Sequence, residues 1–286
     1  MNRVCIIFNP AARGEKARRI FDRLRRAAGN DAVIRVTQFP GDAEAQTERA
    51  LEHGYRTVVA AGGDGTVNEV VNGLNGAAAT LGILPLGTIN VFAMELGIPI
   101  QLEAAWAVIR RGKTRKVDLP RAGEQRFVQL AGVGLDAEIL ARTHWWTRKT
   151  FGPLSYLLTA VGLLGRPAPV LTVTIDEREE QHGRFLLVGN GRYYGGRFAV
   201  FPDAKLDDGL LDGCLFAELN AAAVARYVQG VISRRHTRFS DVFYFQAKKL
   251  AVRSDRPVPV EVDGEIYGHT PCAFSLSPAA LEVIVP

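Results

Sequence analysis

A short glycine-rich loop around one carboxylate is the part of this chain most suited to chemistry. Residues 62–65 read Gly-Gly-Asp-Gly; they follow a β-type apolar run at 57–61 and precede a helix-compatible segment that begins at Thr66. Glycine lets the backbone approach a ligand closely, and a helix N-terminus offers unpaired N–H donors to an anion. Because the Asp64 carboxylate repels a triphosphate unless a divalent cation lies between them, the loop indicates a Mg²⁺-nucleotide site. The alternative is a tight glycine turn in which Asp64 caps the helix.

Two further loops are candidates for phosphate binding. One reads Asn-Pro-Ala-Ala-Arg-Gly at residues 9–14, directly after the first strand-like run, and the other reads Pro-Leu-Gly-Thr-Ile-Asn at residues 85–90. In the first loop, Arg13 or Lys16 can meet phosphate oxygens, and a simple turn is the alternative. Ligands of an open parallel sheet bind at the carboxyl ends of its strands, so all three loops are expected at one edge.

An acidic loop in the second half is a candidate cation site. Residues 202–209 read Pro-Asp-Ala-Lys-Leu-Asp-Asp-Gly, and Asp208 with neighbouring backbone carbonyls can hold Mg²⁺ or Ca²⁺. The alternative is a hairpin turn, in which Asp-Gly supplies the positive φ.

A second acidic group follows at Glu261, Asp263 and Glu265. These side chains project to one side if the strand stays extended through Gly264. One of them can then act as the general base that accepts a hydroxyl proton during attack on a γ-phosphate. Surface acids at a β-turn are the alternative.

The segments around these loops predict an α/β domain followed by a β-rich domain. Strand-like runs alternate with helix-period segments up to about residue 119, which favours an open, mostly parallel α/β sheet. Short strands with glycine and proline turns follow, and we place the domains at residues 1–120 and 121–280.

Composition narrows the class of protein. With 286 residues, 47% of them hydrophobic, the chain can bury a core in each of two domains. Three dispersed cysteines without a Cys-x-x-Cys pair argue against a disulfide framework or a zinc site and favour a reducing cytosol. No apolar run approaches the ~20 residues that span a bilayer. The net charge of +5 is moderately basic, but no motif supports nucleic-acid binding.

Taken in order, these motifs resemble the diacylglycerol kinase catalytic-domain family, specifically its soluble bacterial lipid kinases, which are related to sphingosine and ceramide kinases. The resemblance covers essentially the whole chain. The Gly-Gly-Asp-Gly-Thr element alone is shared with NAD kinases, whereas the ordered set is much more specific. The matching residues are 9–14, Thr37, 41–43, 62–66, 85–88, 190–191, 195–196, 202–209 and 262–265.

The resemblance implies an ATP-binding N-terminal domain and a C-terminal β-sandwich, with lipid entering the cleft between them. Residues 281–286 are expected to return to the first domain. Glu265 is implied as the proton acceptor, and Asp64 as part of a Mg²⁺–ATP network with Asp118 and Asp263. A structural Mg²⁺ is implied at the Lys205 and Leu210 carbonyls and the Asp208 carboxylate. The nucleotide-binding set is Asn9, Pro10, Ala11, Ala12, Arg13, Gly14, Thr37, Gly62, Gly63, Asp64, Gly65, Thr66, Val67, Asn68 and Thr88.

One position departs from the family pattern. Many members read Gly-Thr-x-Asn-Asp where this chain has Val91 after Asn90, so a carboxylate often placed in the magnesium network is missing.

The activity that the resemblance implies is that of an ATP- and Mg²⁺-dependent lipid kinase acting on a diacylglycerol-like hydroxyl. An NAD kinase, or a catalytically weak regulator that binds lipid or nucleotide, is the alternative.

Access to a membrane follows from a lipid substrate. Trp145 and Trp146 lie among basic residues and precede a run of apolar ones, a composition suited to a membrane interface; packing in the interdomain core is the alternative. We expect a cytoplasmic protein that associates peripherally with the inner face of the membrane, and the sequence is compatible with a homodimer.

Overall fold

The computed structural model describes residues 4–12, 16–134 and 169–286. It divides into two compact units, the first comprising Met1–Leu119 with Pro278–Pro286 and the second Pro120–Ser277. Elements are numbered below in chain order among the described residues. Arg13, Gly14, Trp145 and Trp146 lie outside the described residues.

The first unit is an α/β fold built on a parallel sheet. Strands β2, β1, β3 and β4 lie side by side in that order, all parallel, and the end of β18 adds to β4 through Glu282 opposite Thr80. Strands β1 and β3 are almost entirely buried, as expected for parallel strands covered on both faces. The elements are β1 Val4–Phe8, α1 Ala17–Ala28, β2 Ala32–Val36, α2 Asp42–Glu52, β3 Thr57–Gly62, α3 Asp64–Leu74, β4 Thr80–Pro85, α4 Val91–Glu95, α5 Leu102–Arg111 and β5 Thr114–Ala122.

The second unit consists mainly of antiparallel strands. Within it, β14, β13, β10, β7, β16 and β17 form one sheet, and β18, β15, β8 and β9 pair in a second. The elements are β6 Gln125–Arg126, β7 Leu130–Val133, β8 Leu171–Ile175, β9 Glu179–Gly183, β10 Phe185–Gly189, β11 Tyr193–Tyr194, β12 Phe198–Ala199, β13 Leu211–Phe216, α6 Ala221–Ile232, β14 Val242–Ala247, β15 Lys249–Ser254, β16 Pro259–Val262, β17 Glu265–His269 and β18 Cys272–Ile284.

The two sheets of the second unit share one hydrophobic core. Leu186 and Val260 from the first sheet pack in the same buried cluster as Leu171 and Val252 from the second. This arrangement is a β-sandwich. The predicted fold class, an open parallel α/β sheet domain followed by a β-sandwich, is confirmed.

Two local expectations differ from the structure. Helix α3 begins at Asp64 rather than Thr66, because Gly63 is still extended and the chain turns into the helix directly after it. The strand containing Glu261 does not stay extended, because Asp263 and Gly264 both have positive φ and make a two-residue hairpin turn between β16 and β17. Glu261, Asp263 and Glu265 therefore do not alternate along one strand face.

Candidate active site

The loop after β3 is shaped by a contact that glycine alone allows. A Cβ on Gly62 would lie 2.3 Å from Thr66 Oγ1, so the first turn of α3 packs directly against the end of the strand. Asn9 Nδ2 donates a hydrogen bond to Thr66 Oγ1 at 2.9 Å, and the Ala11 N–H donates to Asn9 Oδ1 at 2.9 Å. These bonds join the 3-10 turn Pro10–Ala12, which follows β1, to the glycine loop.

The loop after β4 touches the same glycines. A Cβ on Gly87 would lie 2.5 Å from the Gly63 Cα, so the two backbones are in direct contact. Asn90 adopts φ 58° and clamps the loop: its Oδ1 accepts from the Gly87 N–H at 2.8 Å, and its Nδ2 donates to the Gly87 carbonyl at 2.9 Å. The structure thus brings the described parts of the three predicted loops together at one sheet edge. The sequence offered Asn90 as a loop residue without indicating its role as a clamp.

Asp64 lies at this junction and is half-buried. It is the first residue of α3, and its Oδ1 accepts a long hydrogen bond, 3.4 Å, from the Phe92 N–H at the start of α4. Burial raises the pKa of Asp64, and the N–H groups at Phe92, Val91 and Asn90 oppose that shift. The capping alternative is therefore partly realised, but on α4 instead of α3.

The other predicted nucleotide contacts differ in accessibility. Thr88 is exposed, whereas Thr37 and Asn68 are buried. The Thr37 N–H donates to the Phe8 carbonyl at 3.0 Å, which places Thr37 at the same strand ends, and Asn68 Oδ1 accepts from Asn72 Nδ2 at 3.1 Å within α3. Val67 is buried in the first turn of α3. Of this set, the exposed Thr88 and the backbone of the loops are most available to a ligand.

Asp118 also lies in the first unit, almost fully buried on β5. Its Oδ1 accepts a hydrogen bond from the Ala279 N–H at 2.8 Å. Ala279 has φ 51°, so the carboxylate holds a strained backbone position in β18. This contact shows that Asp118 has a structural task in addition to any ligand role.

The Asp263 carboxylate accepts several hydrogen bonds from backbone N–H groups of the second unit. Its Oδ2 accepts from the Val128 N–H at 2.7 Å, and its Oδ1 accepts from the Gln129 and Leu130 N–H groups at 3.0 and 3.1 Å. Its own N–H donates to the Leu130 carbonyl at 2.9 Å. The carboxylate therefore fastens the β16–β17 turn to the segment that enters β7.

The neighbouring glutamates have opposite environments. Glu265 is exposed at the first position of β17, opposite Val262. Glu261 is buried, and its Oε2 accepts from the Gly264 N–H at 2.8 Å across the turn. Of the two, Glu265 is the carboxylate that solvent and a substrate can reach.

The candidate cation loop borders a surface cavity of about 390 Å³. Lys205 and Asp208 line it with Arg192, Pro202, Asp203, Ala204 and Gln246. The Leu210 N–H donates to Asp208 Oδ1 at 3.1 Å. The preceding strand, β12, pairs with β11 and not with β13, so this loop is not a hairpin between β12 and β13, although Gly209 has the positive φ, 74°, that the alternative expected.

Asp212, at the start of β13, is a residue that the sequence did not single out here. It is fully buried, and its Oδ1 accepts from the Tyr244 hydroxyl and from Gln246 Nε2. Burial, with smaller contributions from the negative charges of Asp208 and Asp203, raises the pKa of Asp212 to about 6. Its Oδ2 has no hydrogen-bond partner among the described residues. The region therefore carries excess negative potential, which suits a cation.

Within residues 4–12, 16–134 and 169–286, no three His, Cys, Asp or Glu side chains are grouped so as to bind a metal ion. Carbonyl oxygens or substrate phosphates would have to complete any Mg²⁺ shell there. None of the helices that the structure describes combines the length and apolar character needed to cross a bilayer.

Comparison with protein families places both units. Residues 3–122 match the model described as diacylglycerol kinase catalytic domain, and residues 129–285 match the model described as YegS C-terminal NAD kinase beta sandwich-like domain. Together they define a two-domain kinase.

Individual relatives agree. Proteins named diacylglycerol kinase from Staphylococcus carnosus and Staphylococcus epidermidis are 30% and 32% identical to this chain; the matches cover 99% of it in both cases and 95% and 92% of the relatives. A crystal structure of a diacylglycerol kinase from Bacillus anthracis superposes with a TM-score of 0.82 at 28% identity, covering 100% of this chain and 97% of the other. The chain belongs to the diacylglycerol kinase family. The predicted family and its enzyme class, lipid kinases, are confirmed.

Proposed function

We propose that this protein transfers the γ-phosphate of ATP, in a Mg²⁺-dependent reaction, to the hydroxyl of a diacylglycerol-like lipid. The product would be a phosphatidic-acid-like phosphomonoester. The observation that carries the proposal is the contact between the loops after β3 and β4, with the Asn9–Thr66 hydrogen bond beside it. Glycine backbone, a helix N-terminus and one carboxylate then share a sheet edge in a member of the diacylglycerol kinase family.

We assign nucleotide binding to the first domain, residues 1–120 with 281–286, and lipid binding and catalysis to residues 121–280. In the first domain, backbone N–H groups and the start of α3 receive phosphate oxygens, because the helix dipole favours an anion there. The proposed contacts are Asn9, Pro10, Ala11, Ala12, Arg13, Gly14, Thr37, Gly62, Gly63, Asp64, Gly65, Thr66, Val67, Asn68 and Thr88.

The residues present fit two Mg²⁺ roles. Asp64 is half-buried and its pKa is raised, so a neighbouring cation would favour its charged form, and Asp118 and Asp263 are proposed for the same Mg²⁺–ATP network. In the second unit, the Lys205 and Leu210 carbonyls with the Asp208 carboxylate would hold a structural ion near the unsatisfied oxygen of Asp212. Bound Mg²⁺ supplies neutralisation of phosphate charge in the first role and ordering of a loop in the second.

Glu265 is proposed as the general base. It is exposed on β17, so the hydroxyl of a substrate can approach its carboxylate and pass its proton to it. Asp263 is proposed to hold the turn that presents Glu265. Because the acceptor lies in a bilayer, the protein is proposed to work at the cytoplasmic face of a membrane as a peripheral protein.

An acceptor panel tests the proposal. Purified protein is incubated with γ-labelled ATP and Mg²⁺ in mixed micelles of diacylglycerol, monoacylglycerol, ceramide or sphingosine, with NAD in a parallel tube. The proposal expects label in diacylglycerol, little label in NAD, and none in any tube without Mg²⁺. Asp64→Asn should abolish the transfer, whereas Asp22→Asn, which changes an exposed carboxylate on α1, should not. Label in NAD alone would overturn the lipid assignment, and ATP binding without transfer would favour a regulator.

A further inference from the structure

Helix α6 turns an apolar stripe toward solvent. Val228 and Ile232 are 43% and 64% exposed, and Ala221 and Ala225 are exposed as well. At ~100° per residue, these four positions fall within an arc of about 60° on the helix surface. The stripe therefore runs the length of the helix on one side.

The opposite side of α6 anchors the helix firmly. Tyr227 packs against Phe216 with ring centroids 4.9 Å apart. The Asn220 side chain caps the helix by accepting the Ala223 N–H at 2.9 Å, and Arg226 pairs with Asp241. Because packing on its buried side and the cap at its N-terminus fix the helix, the exposed stripe is an ordered part of the surface and not a frayed segment.

Positive charge gathers at the C-terminal end of the same helix. Arg234, Arg235 and Arg238 are exposed, and none of their side chains forms an ion pair or hydrogen bond with another described residue. The Arg235 N–H donates to the Gly230 carbonyl at 2.7 Å, which folds this arginine segment back onto the helix end. Strand β12 contacts α6 and carries Phe198, which is 40% exposed.

The combination identifies the partner by its chemistry. Single exposed apolar residues are common on protein surfaces, but a continuous stripe beside unpaired cations is typical of helices that lie in a membrane interface. Apolar side chains then enter the acyl boundary while guanidinium groups meet lipid phosphates. A symmetric contact with a second copy suits the surface less well, because the apolar stripe that it would pair carries no carboxylate to meet the arginines.

We propose that this surface, made of the α6 stripe, Phe198 and the three arginines, docks the protein on an anionic lipid bilayer. The proposal rests on the proposed function for its purpose, since a kinase acting on a membrane lipid must reach the bilayer. Docking itself is measured independently of catalysis.

Sedimentation with vesicles tests the surface. Wild type should bind vesicles of phosphatidylcholine with phosphatidylglycerol more tightly than phosphatidylcholine alone. The double variant Val228→Glu, Ile232→Glu should bind anionic vesicles at least about tenfold more weakly, because charge replaces the inserted side chains. Each Arg→Gln change at Arg235 and Arg238 should weaken binding roughly fivefold, the factor that corresponds to ~1 kcal/mol per cation. Ile100→Glu is the matched control, since Ile100 is 67% exposed in the first unit, and its binding should equal wild type.

The outcomes separate this proposal from the proposed function. The second assay measures phosphorylation of diacylglycerol. The α6 variants should phosphorylate it at the wild-type rate in detergent micelles and should lose activity on diacylglycerol in anionic vesicles. Vesicle binding that is absent in wild type, or unchanged in the α6 variants, overturns the docking surface even if micellar lipid is phosphorylated. A change from dimer to monomer by light scattering, with unchanged vesicle binding, would assign the surface to a second copy instead. If no lipid is phosphorylated but binding depends on α6, docking stands and the kinase proposal fails.

Discussion

Asp263→Asn is expected to destabilise the second unit through one specific hydrogen bond. In the wild type, Oδ1 accepts two backbone N–H groups and Oδ2 accepts the Val128 N–H at 2.7 Å. An asparagine can keep one oxygen for two of these donors, but its NH₂ then faces the third donor. Asparagine tolerates φ 46°, so backbone strain does not contribute. Losing one charge-assisted bond and leaving a donor unpaired should lower the free energy of unfolding by about 2–4 kcal/mol.

Asp176→Asn provides a matched control for that prediction. Asp176 also has positive φ, 47°, in a hairpin turn and also binds two backbone N–H groups, those of Lys248 and Lys249 at 2.9 Å. Both bonds go to Oδ1, so asparagine can satisfy them, and the expected loss is below about 0.5 kcal/mol. Urea unfolding measures both variants, and amide hydrogen exchange at residues 128–130 should accelerate in Asp263→Asn alone. Unchanged unfolding and exchange in Asp263→Asn, with lost turnover, would refute the structural role derived for this carboxylate.

Three further perturbations act on the loops. Asp64→Asn should abolish transfer while leaving the metal-free protein at least as stable as wild type at neutral pH. Because the pKa of Asp64 is raised in the folded protein, its contribution to stability is greatest at low pH and is lost as pH rises through that pKa. Urea titrations across pH should show this loss in wild type and not in the variant. Gly87→Ala should lower the free energy of unfolding by about 1–3 kcal/mol and weaken ATP binding, because the new Cβ meets the Gly63 backbone. Gly268→Ala is the control and should change both quantities little, because a Cβ on Gly268 meets no other atom. Equal effects of the two substitutions would contradict the loop contact. Mg²⁺ at ~100 times its Kd should stabilise the protein by up to about 2.7 kcal/mol in a thermal melt. Asp208→Asn should be stabilised less, because the ion proposed for the second unit no longer binds. A full Mg²⁺ response in the variant would exclude Asp208 as a ligand.

Much of the fold was readable from apolar periodicity. Buried parallel strands such as Val4–Phe8 appear as continuous apolar runs, and the strands of the second unit are separated by glycine, proline and Asp-Gly turns. The glycine loops were recognisable because close backbone approach excludes other residues, as the Gly63–Gly87 contact shows.

What the sequence could not supply were the partners of particular side chains. The bond from the Phe92 N–H to Asp64 and the three donors to Asp263 join residues at least 28 positions apart, so no local spacing reveals them. The alternation of Glu261, Asp263 and Glu265 was wrong because positive φ at Asp263 ends the strand, and the Asp-Gly pair at 263–264 was the turn signal that could have revealed it. Asp212 appeared as an ordinary polar residue until Tyr244 and Gln246 were seen to enclose it.

Glu265 is the residue on which the proposed transfer of phosphate to a lipid most depends. The most direct measurement is the initial rate of label transfer from γ-labelled ATP to diacylglycerol in mixed micelles, with wild type, Glu265→Gln and Glu179→Gln compared side by side. The control changes an exposed glutamate on β9. Wild type and control should give labelled phosphatidic acid, and kcat should be lower by roughly 10²- to 10⁴-fold in Glu265→Gln with its fold intact. Near-normal turnover in Glu265→Gln would remove Glu265 from the mechanism, and the absence of labelled lipid from wild type would overturn the proposed lipid kinase activity.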